Sequence, residues 1–464
     1  MKTMASKSRD LTSGPIWKSL LLFALPLLAG SLVQQLYNTV DLVFAGNYIG
    51  KSASAAVGAS SLLITCLIGV FGGIGTGSGI VIAQIYGSKS TERLSRAIHN
   101  TAAVILASGL LMMLLGYALA PIYLRLVRTP PELLDSATGY LRIYFLSFLS
   151  VVAYNFGSGI LRALGDSKNP LYAQLAGGLL NVAMDYLFIR VRNDGVNGVA
   201  WATLISQTAS AVIILFCLVR LDSAYALRPG KIAFDREILK QTVSVGLPAG
   251  VQSLVITLSN VMVQYHINSF GEDAIAAFTA YFKVELVIYL PIVALGQSIM
   301  TFAGQNAGAG NWGRVRKGTI QCAAISMLLA AITSVVCISF GTQLFRIFSR
   351  DAAVIRLGQQ IIGVTFPFYF IYPVFQIFGD SMRGVGKSRI PMLLVLLNIC
   401  LVRTALLFII VPRVPAITSV AAVYPVTWAL TAICMTVYYG RFHRLRGRTE
   451  PECLCGKAMP DENI

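Results

Sequence analysis

The chain has 464 residues, of which 56% are hydrophobic and only 12% charged, about half the charged share of an ordinary soluble domain. This excludes a disordered chain, a collagen and a disulfide scaffold, and it leaves too few charges to cover the surfaces of about two to four soluble domains, so the composition is that of a polytopic membrane protein. The 37 Lys and Arg against 20 Asp and Glu leave a formal charge of +17, which calls for either an acidic partner or a topological role.

Apolar stretches long enough to cross a bilayer predict twelve membrane helices. They run over about 16–46, 55–85, 97–122, 136–162, 170–190, 196–219, 240–268, 274–305, 318–341, 354–382, 391–411 and 417–440. Pro26 and Pro248 fall inside the first and seventh, where a missing donor kinks a helix. The polar stretch before the first span lacks the layout of a secretory leader. With that end inside, 25 of the 37 basic residues fall on the cytoplasmic side and nine on the other, while Arg142, Lys283 and Arg403 lie within spans. This is the positive-inside pattern, with both termini cytoplasmic, and it removes the need for a nucleic-acid partner. Six cysteines sit in spans as small packing residues, Cys453 and Cys455 make only half a zinc site, and His99, His266 and His443 are scattered, so no metal cluster or cofactor is expected.

The two halves resemble each other at a nearly constant offset. The segment Leu161–Pro170 (LRALGDSKNP) returns as Met382–Pro391 (MRGVGKSRIP), and Ala83–Gly87 as Gly304–Gly308, both 221 residues on. Leu25-Pro26 returns as Leu247-Pro248 at 222. Six helices per half is an even number, so the repeats are parallel, related by a pseudo-two-fold axis along the membrane normal. The expected organisation is a cytoplasmic tail (1–15), an N-lobe of helices 1–6 (16–219), a cytoplasmic connector (220–239), a C-lobe of helices 7–12 (240–440) and a basic tail (441–464). The fold class is all-α and polytopic, with twelve transmembrane helices in two six-helix lobes, the plan of alternating-access transporters.

A carboxylate inside hydrocarbon is costly and marks an ion or substrate site. Asp41, Asp185 and Glu285 lie deep in spans. Gln34, Tyr37, Asn38 and Asp41 fall at i, i+3, i+4 and i+7, one polar stripe; Asn181 and Asp185 are i and i+4. The repeat partners of Asp41, Asn181 and Asp185 are Val263, Val402 and Leu406, so a carboxylate cluster is expected only in the N-terminal half. Two nearby acids trade a proton, or take Na⁺ with oxygen donors from Asn and Thr; the alternative is a helix–helix hydrogen-bond network without ion traffic. Lys283 and Glu285, two apart, point to different faces, with Arg403 a candidate partner for Glu285, while Asp380 near a helix end reads as solvated. Gly69, Gly73 and Gly77 have small-x-x-x-small spacing and predict close helix contact, not a dinucleotide loop. No nucleophile elbow, P-loop or metalloprotease motif is present, and the chain is not expected to be an enzyme.

At this point the sequence resembles the multidrug and toxic compound extrusion (MATE) transporters of the bacterial NorM/DinF kind. The resemblance covers about 11–440 and rests on LTSGPIWKSLLLFALP, YNTVDLVFAGNYIG, AQIYG, LRALGDSKNP, NVAMD and TFAGQNAGAGN. It implies that Asp41, Asn181 and Asp185 form an N-lobe cation site for H⁺ or Na⁺, completed by Tyr140 and Thr203, with the first helix bending at Pro26. Where some relatives carry acids on the seventh and tenth helices, this chain has Ile256 and Pro373.

The expected function is cation-coupled antiport of amphipathic, often cationic, organic molecules from a bacterial cytoplasmic membrane, by a chain acting as a monomer among membrane lipids. Gln34, Tyr37, Asn38, Gln252, Asn260, Lys283 and Glu285 are the candidate substrate contacts. The alternative is a lipid-linked oligosaccharide flippase of the related superfamily. That class calls for a basic cavity, for which Arg142, Lys283 and Arg403 are too few and too scattered.

Overall fold

The computed structural model describes residues 10–44 and 51–446, except the side chains of residues 38, 41–44, 51–63 and 445–446. Its described part is helical, without a β-strand. The helices are α1 (Ile16–Phe44), α2 (Lys51–Gly87), α3 (Thr91–Leu126), α4 (Pro131–Leu146 and Phe148–Ala163), α5 (Lys168–Asp185, continued by Tyr186–Val191) and α6 (Gly195–Val219). They continue with α7 (Arg236–Asn268), α8 (Glu272–Gly308), α9 (Trp312–Ser339), α10 (Ala352–Gly384), α11 (Arg389–Ile410) and α12 (Ile417–Arg446). Among the described residues ten helices are long and apolar enough to cross a membrane, and the bent pair in α4 makes eleven. With α5 they account for the twelve expected spans, and the chain is a multi-pass membrane protein. Rows of exposed apolar side chains, such as Leu328, Ile332, Val335 and Val336 on α9, suit lipid rather than water.

The breaks in these helices have local causes. The two parts of α4 meet at 41°, at Ser147, whose hydroxyl donates to the Tyr144 carbonyl at 2.6 Å and competes with the helix ladder. In α10 the turn Phe366–Ile371 tightens to 3₁₀ geometry, because Pro367 and Pro373 each remove a donor. In α5 the last turn, Tyr186–Val191, widens to a π-helix immediately after Asp185.

The chain forms two compact units. Unit 1 holds Leu25–Gly250; unit 2 holds Leu11–Ala24 and the chain from Val251 on. Both boundaries therefore fall inside helices, within α1 and within α7, close to Pro26 and Pro248.

In unit 1, α2 and α7 approach to backbone contact, as the small-residue spacing predicts. A Cβ on Gly73 would lie 2.2 Å from the Gly250 nitrogen, and one on Gly77 2.6 Å from the Gly246 Cα. Between membrane helices such contact supplies the packing that apolar burial cannot, since lipid is as apolar as the core. Unit 2 is organised around an aromatic core in which Tyr281, Phe366, Tyr369 and Trp428 are fully buried.

Candidate functional site

In unit 1, α1 beyond Ala24 packs along α5. A Cβ on Gly30 would sit 3.9 Å from Leu171, and one on Gly178 would touch Val33 at 3.4 Å and Tyr37 at 3.5 Å. Gly178 is the register mark. Asn181 and Asp185 follow it at i+3 and i+7 on α5, and Asp41 follows Tyr37 by one turn on α1. Asn181 is 2% exposed and Asp185 is 0% exposed. The Asn181 amide oxygen has no hydrogen-bond partner among the described residues. An open amide oxygen beside a fully buried carboxylate is a donor set for a proton or a small hard cation.

The other residues expected here belong to the same unit. Tyr140 on α4 is 6% exposed, its ring 6.3 Å from that of Tyr144. Thr203 on α6 is half-buried, and its hydroxyl donates to the Val199 carbonyl at 3.0 Å, which leaves its lone pairs free to accept. α6 is held against α5 by Ser210, whose hydroxyl donates to the Ala173 carbonyl at 3.1 Å beside Gly177. Asp41 and Asn38 lie on α1, but their side chains are outside the described residues. Gln34 is exposed and Tyr37 half-buried.

One oxygen was not anticipated. The Asn197 amide oxygen in the first turn of α6 is buried, without a hydrogen-bond partner among the described residues, and lies against Gly139, next to Tyr140. An Asn in a helix-opening GVNG segment carries no sequence mark of burial.

Unit 2 corrects the expectation for one acid. Asp380 is not solvated: it is 2% exposed and ion-paired with Arg383 at 2.5 Å. Gln376 donates to its other oxygen at 2.8 Å, and Arg383 reaches Gln252 at 3.3 Å. Glu285 is a second embedded acid, accepting hydrogen bonds from Tyr369 at 3.0 Å and Tyr281 at 3.4 Å. Asp380 thus joins Glu285, which was expected inside a span, as an embedded acid of unit 2. Among the described residues no ion pair joins Arg403 to Glu285, although the Arg403 charge acts on that carboxylate; its guanidinium lies over the Tyr424 ring at 4.5 Å and reaches Thr427 at 3.4 Å. Lys283 is exposed, on a different face from Glu285, as spacing predicts. Asn260 is exposed, whereas Ile256 and Pro373 pack into the unit 2 core. Of the candidate substrate contacts, Gln34, Tyr37 and Asn38 belong to unit 1 and Gln252, Asn260, Lys283 and Glu285 to unit 2.

The MatE family model matches residues 26–187 and again 248–409, and the second match begins and ends 222 residues after the first. "Probable multidrug resistance protein YpnP" of Bacillus subtilis is 30% identical over 86% of this chain and 89% of its own length. "Multidrug export protein MepA" of Staphylococcus aureus is 22% identical over 81% of this chain and 83% of its own. A solved structure of an outward-facing "multidrug resistance MATE family transporter of the MOP superfamily" superimposes with a TM-score of 0.90 at 22% identity, covering 96% of this chain and 100% of that one.

Proposed function

Since this chain belongs to the MatE family of membrane transporters, we propose that it exports amphipathic organic compounds, many of them cationic, in exchange for H⁺ or Na⁺ moving down its gradient. The observation that carries this reading is the pairing of the buried Asn181–Asp185 face of α5 with the stretch of α1 that leads to Asp41. A carboxylate in low dielectric, supplied with amide and hydroxyl oxygens, takes up a proton or a small cation and releases it when water enters. That difference in affinity between two hydration states is what ion-driven transport requires. Tyr140 and Thr203 would supply further oxygens. Two relatives over most of this length are described as multidrug resistance or export proteins, which supports an organic substrate.

The chain would act as a monomer in the cytoplasmic membrane of a bacterium, with both termini inside, as the basic loops suggest. Dye efflux from proteoliposomes tests the reading. Export of ethidium driven by an imposed pH or Na⁺ gradient is expected from the wild type and lost in Asp185→Asn. Equal efflux with and without either gradient would refute ion coupling. Failure to move any dye while moving a labelled lipid-linked sugar would favour the flippase alternative.

A further inference from the structure

The segment before α1 is gripped from unit 2 by one arginine. Arg314, in the first turn of α9, uses all three of its nitrogens. Nη1 donates to the Gly14 carbonyl at 3.1 Å, Nη2 to the carbonyls of Ser13 at 3.2 Å and Leu11 at 3.3 Å, and Nε to the Asn306 amide oxygen at 3.1 Å. Asn306 in turn donates to the Leu11 carbonyl at 3.1 Å, and the Leu11 N–H donates to Gln305 at 3.1 Å. Leu11 itself is 1% exposed. Farther along, Ser298 donates to the Leu20 carbonyl at 2.9 Å. A planar guanidinium fork matches several fixed carbonyls at once, which a lysine ammonium does not.

The same device recurs in unit 1. Arg93, 221 residues before Arg314 and in the first turn of α3, donates to Glu237 at 2.8 Å at the start of α7. Arg96 reaches Asp235 at 3.3 Å, and Asn100 accepts the Asp235 N–H at 3.0 Å. Repeat-related arginines thus hold the lead-in to the first helix of each half. The α7 version is an ion pair with an exposed glutamate, open to screening by salt; the α1 version is made of backbone carbonyls and a buried amide.

We propose that Arg314 is a positioning residue for transport: it anchors the start of α1 in unit 2, while the remainder of α1, leading to Asp41, belongs to unit 1. The helix changes units between Ala24 and Leu25, next to Pro26, where the missing backbone donor makes it easiest to bend. The anchor fixes the course of α1 up to Pro26, and so the geometry from which the stretch leading to Asp41 departs. This inference rests on the transport reading above.

The test is made in proteoliposomes, with wild-type efflux as the control. Arg314→Ala and Arg314→Lys are expected to lower maximal efflux by about tenfold while dye KM changes by less than about twofold. Asn306→Ala, which leaves the Ser13 and Gly14 contacts in place, should fall between. A short bis-maleimide crosslink between Ser13→Cys and Arg314→Cys, on a background without other cysteines, should restore efflux by replacing the anchor covalently. In detergent, Leu11→Cys should react with a bulky maleimide about tenfold faster when Arg314→Ala is added. Unchanged efflux in Arg314→Ala, unchanged Leu11→Cys labelling, or a crosslink that forms without restoring efflux would each overturn the anchor. Absence of gradient-driven efflux in the wild type would instead refute the transport reading, and the labelling result would still stand for or against the anchor.

Discussion

Asp380 and Arg383 form an ion pair one turn apart near the end of α10, with the carboxylate 2% exposed. It exists because α8 offers Gly296 opposite: a Cβ there would lie 2.2 Å from the carboxylate oxygen. In the first half the repeat positions of Gly296, Asp380 and Arg383 are Gly75, Gly159 and Arg162, so the arginine recurs without its acid.

Removing one member of that pair leaves an uncompensated buried charge. Asp380→Ala is expected to destabilise the protein by about 3–5 kcal/mol, whereas Asp380→Leu with Arg383→Met should recover most of the loss. Unfolding in detergent, followed by circular dichroism, measures both. A double variant as unstable as the single would contradict this account.

Gly296→Ala should act through the same pair. The new methyl displaces the carboxylate from Arg383 and Gln376, at a cost of about 1–3 kcal/mol. Gly230, in the connector, has open space where a Cβ would go and serves as the control; Gly230→Ala should leave the melting temperature unchanged.

The α2–α7 contact makes a stronger demand. Gly73 faces the backbone of Gly250, which has no side chain to move aside, so Gly73→Val should separate the helices and abolish the folded yield. At Gly75 the nearest obstacle is the Phe156 ring at 2.9 Å, which can shift, and Gly75→Ala should fold. Monodispersity by size-exclusion chromatography distinguishes the two.

In the proposed cation site, Thr203→Val would keep the shape and remove one oxygen. Loss of about 1 kcal/mol of coordination would raise the ion concentration for half-maximal efflux roughly fivefold, with maximal efflux retained. A titration of efflux rate against Na⁺ or H⁺ reads this, and an unchanged midpoint would remove Thr203 from the site.

Glu285 and Lys283 separate by environment. Tyr369→Phe deletes the 3.0 Å hydrogen bond to Glu285 inside the aromatic core and should cost about 1.5–3 kcal/mol. Lys283→Ala, at an exposed position, should stay within about 0.5 kcal/mol of wild type. Thermal unfolding of both variants is the measurement.

The sequence by itself determined the spans, the duplication and the shared face of Asn181 and Asp185 on α5, because each is a local property. Hydropathy over about 20 residues reports a span, and i, i+4 spacing puts Asn181 and Asp185 on one face whatever surrounds them. The small-residue spacing of α2 likewise announced a close helix contact. The partner in that contact, Gly246 and Gly250, was decided by tertiary packing. So was the burial of Asp380: a carboxylate near a helix end looks solvated until Gly296, 84 residues away, closes over it. The tyrosines that donate to Glu285 were likewise set by packing. Only the tertiary structure assigned the start of α1 to unit 2, since Arg314 finds the carbonyls of Leu11, Ser13 and Gly14 about 300 residues away along the chain. Periodicity is written along one helix. Whether a polar group is paired depends on what the fold brings against it, and that information is spread over the whole chain.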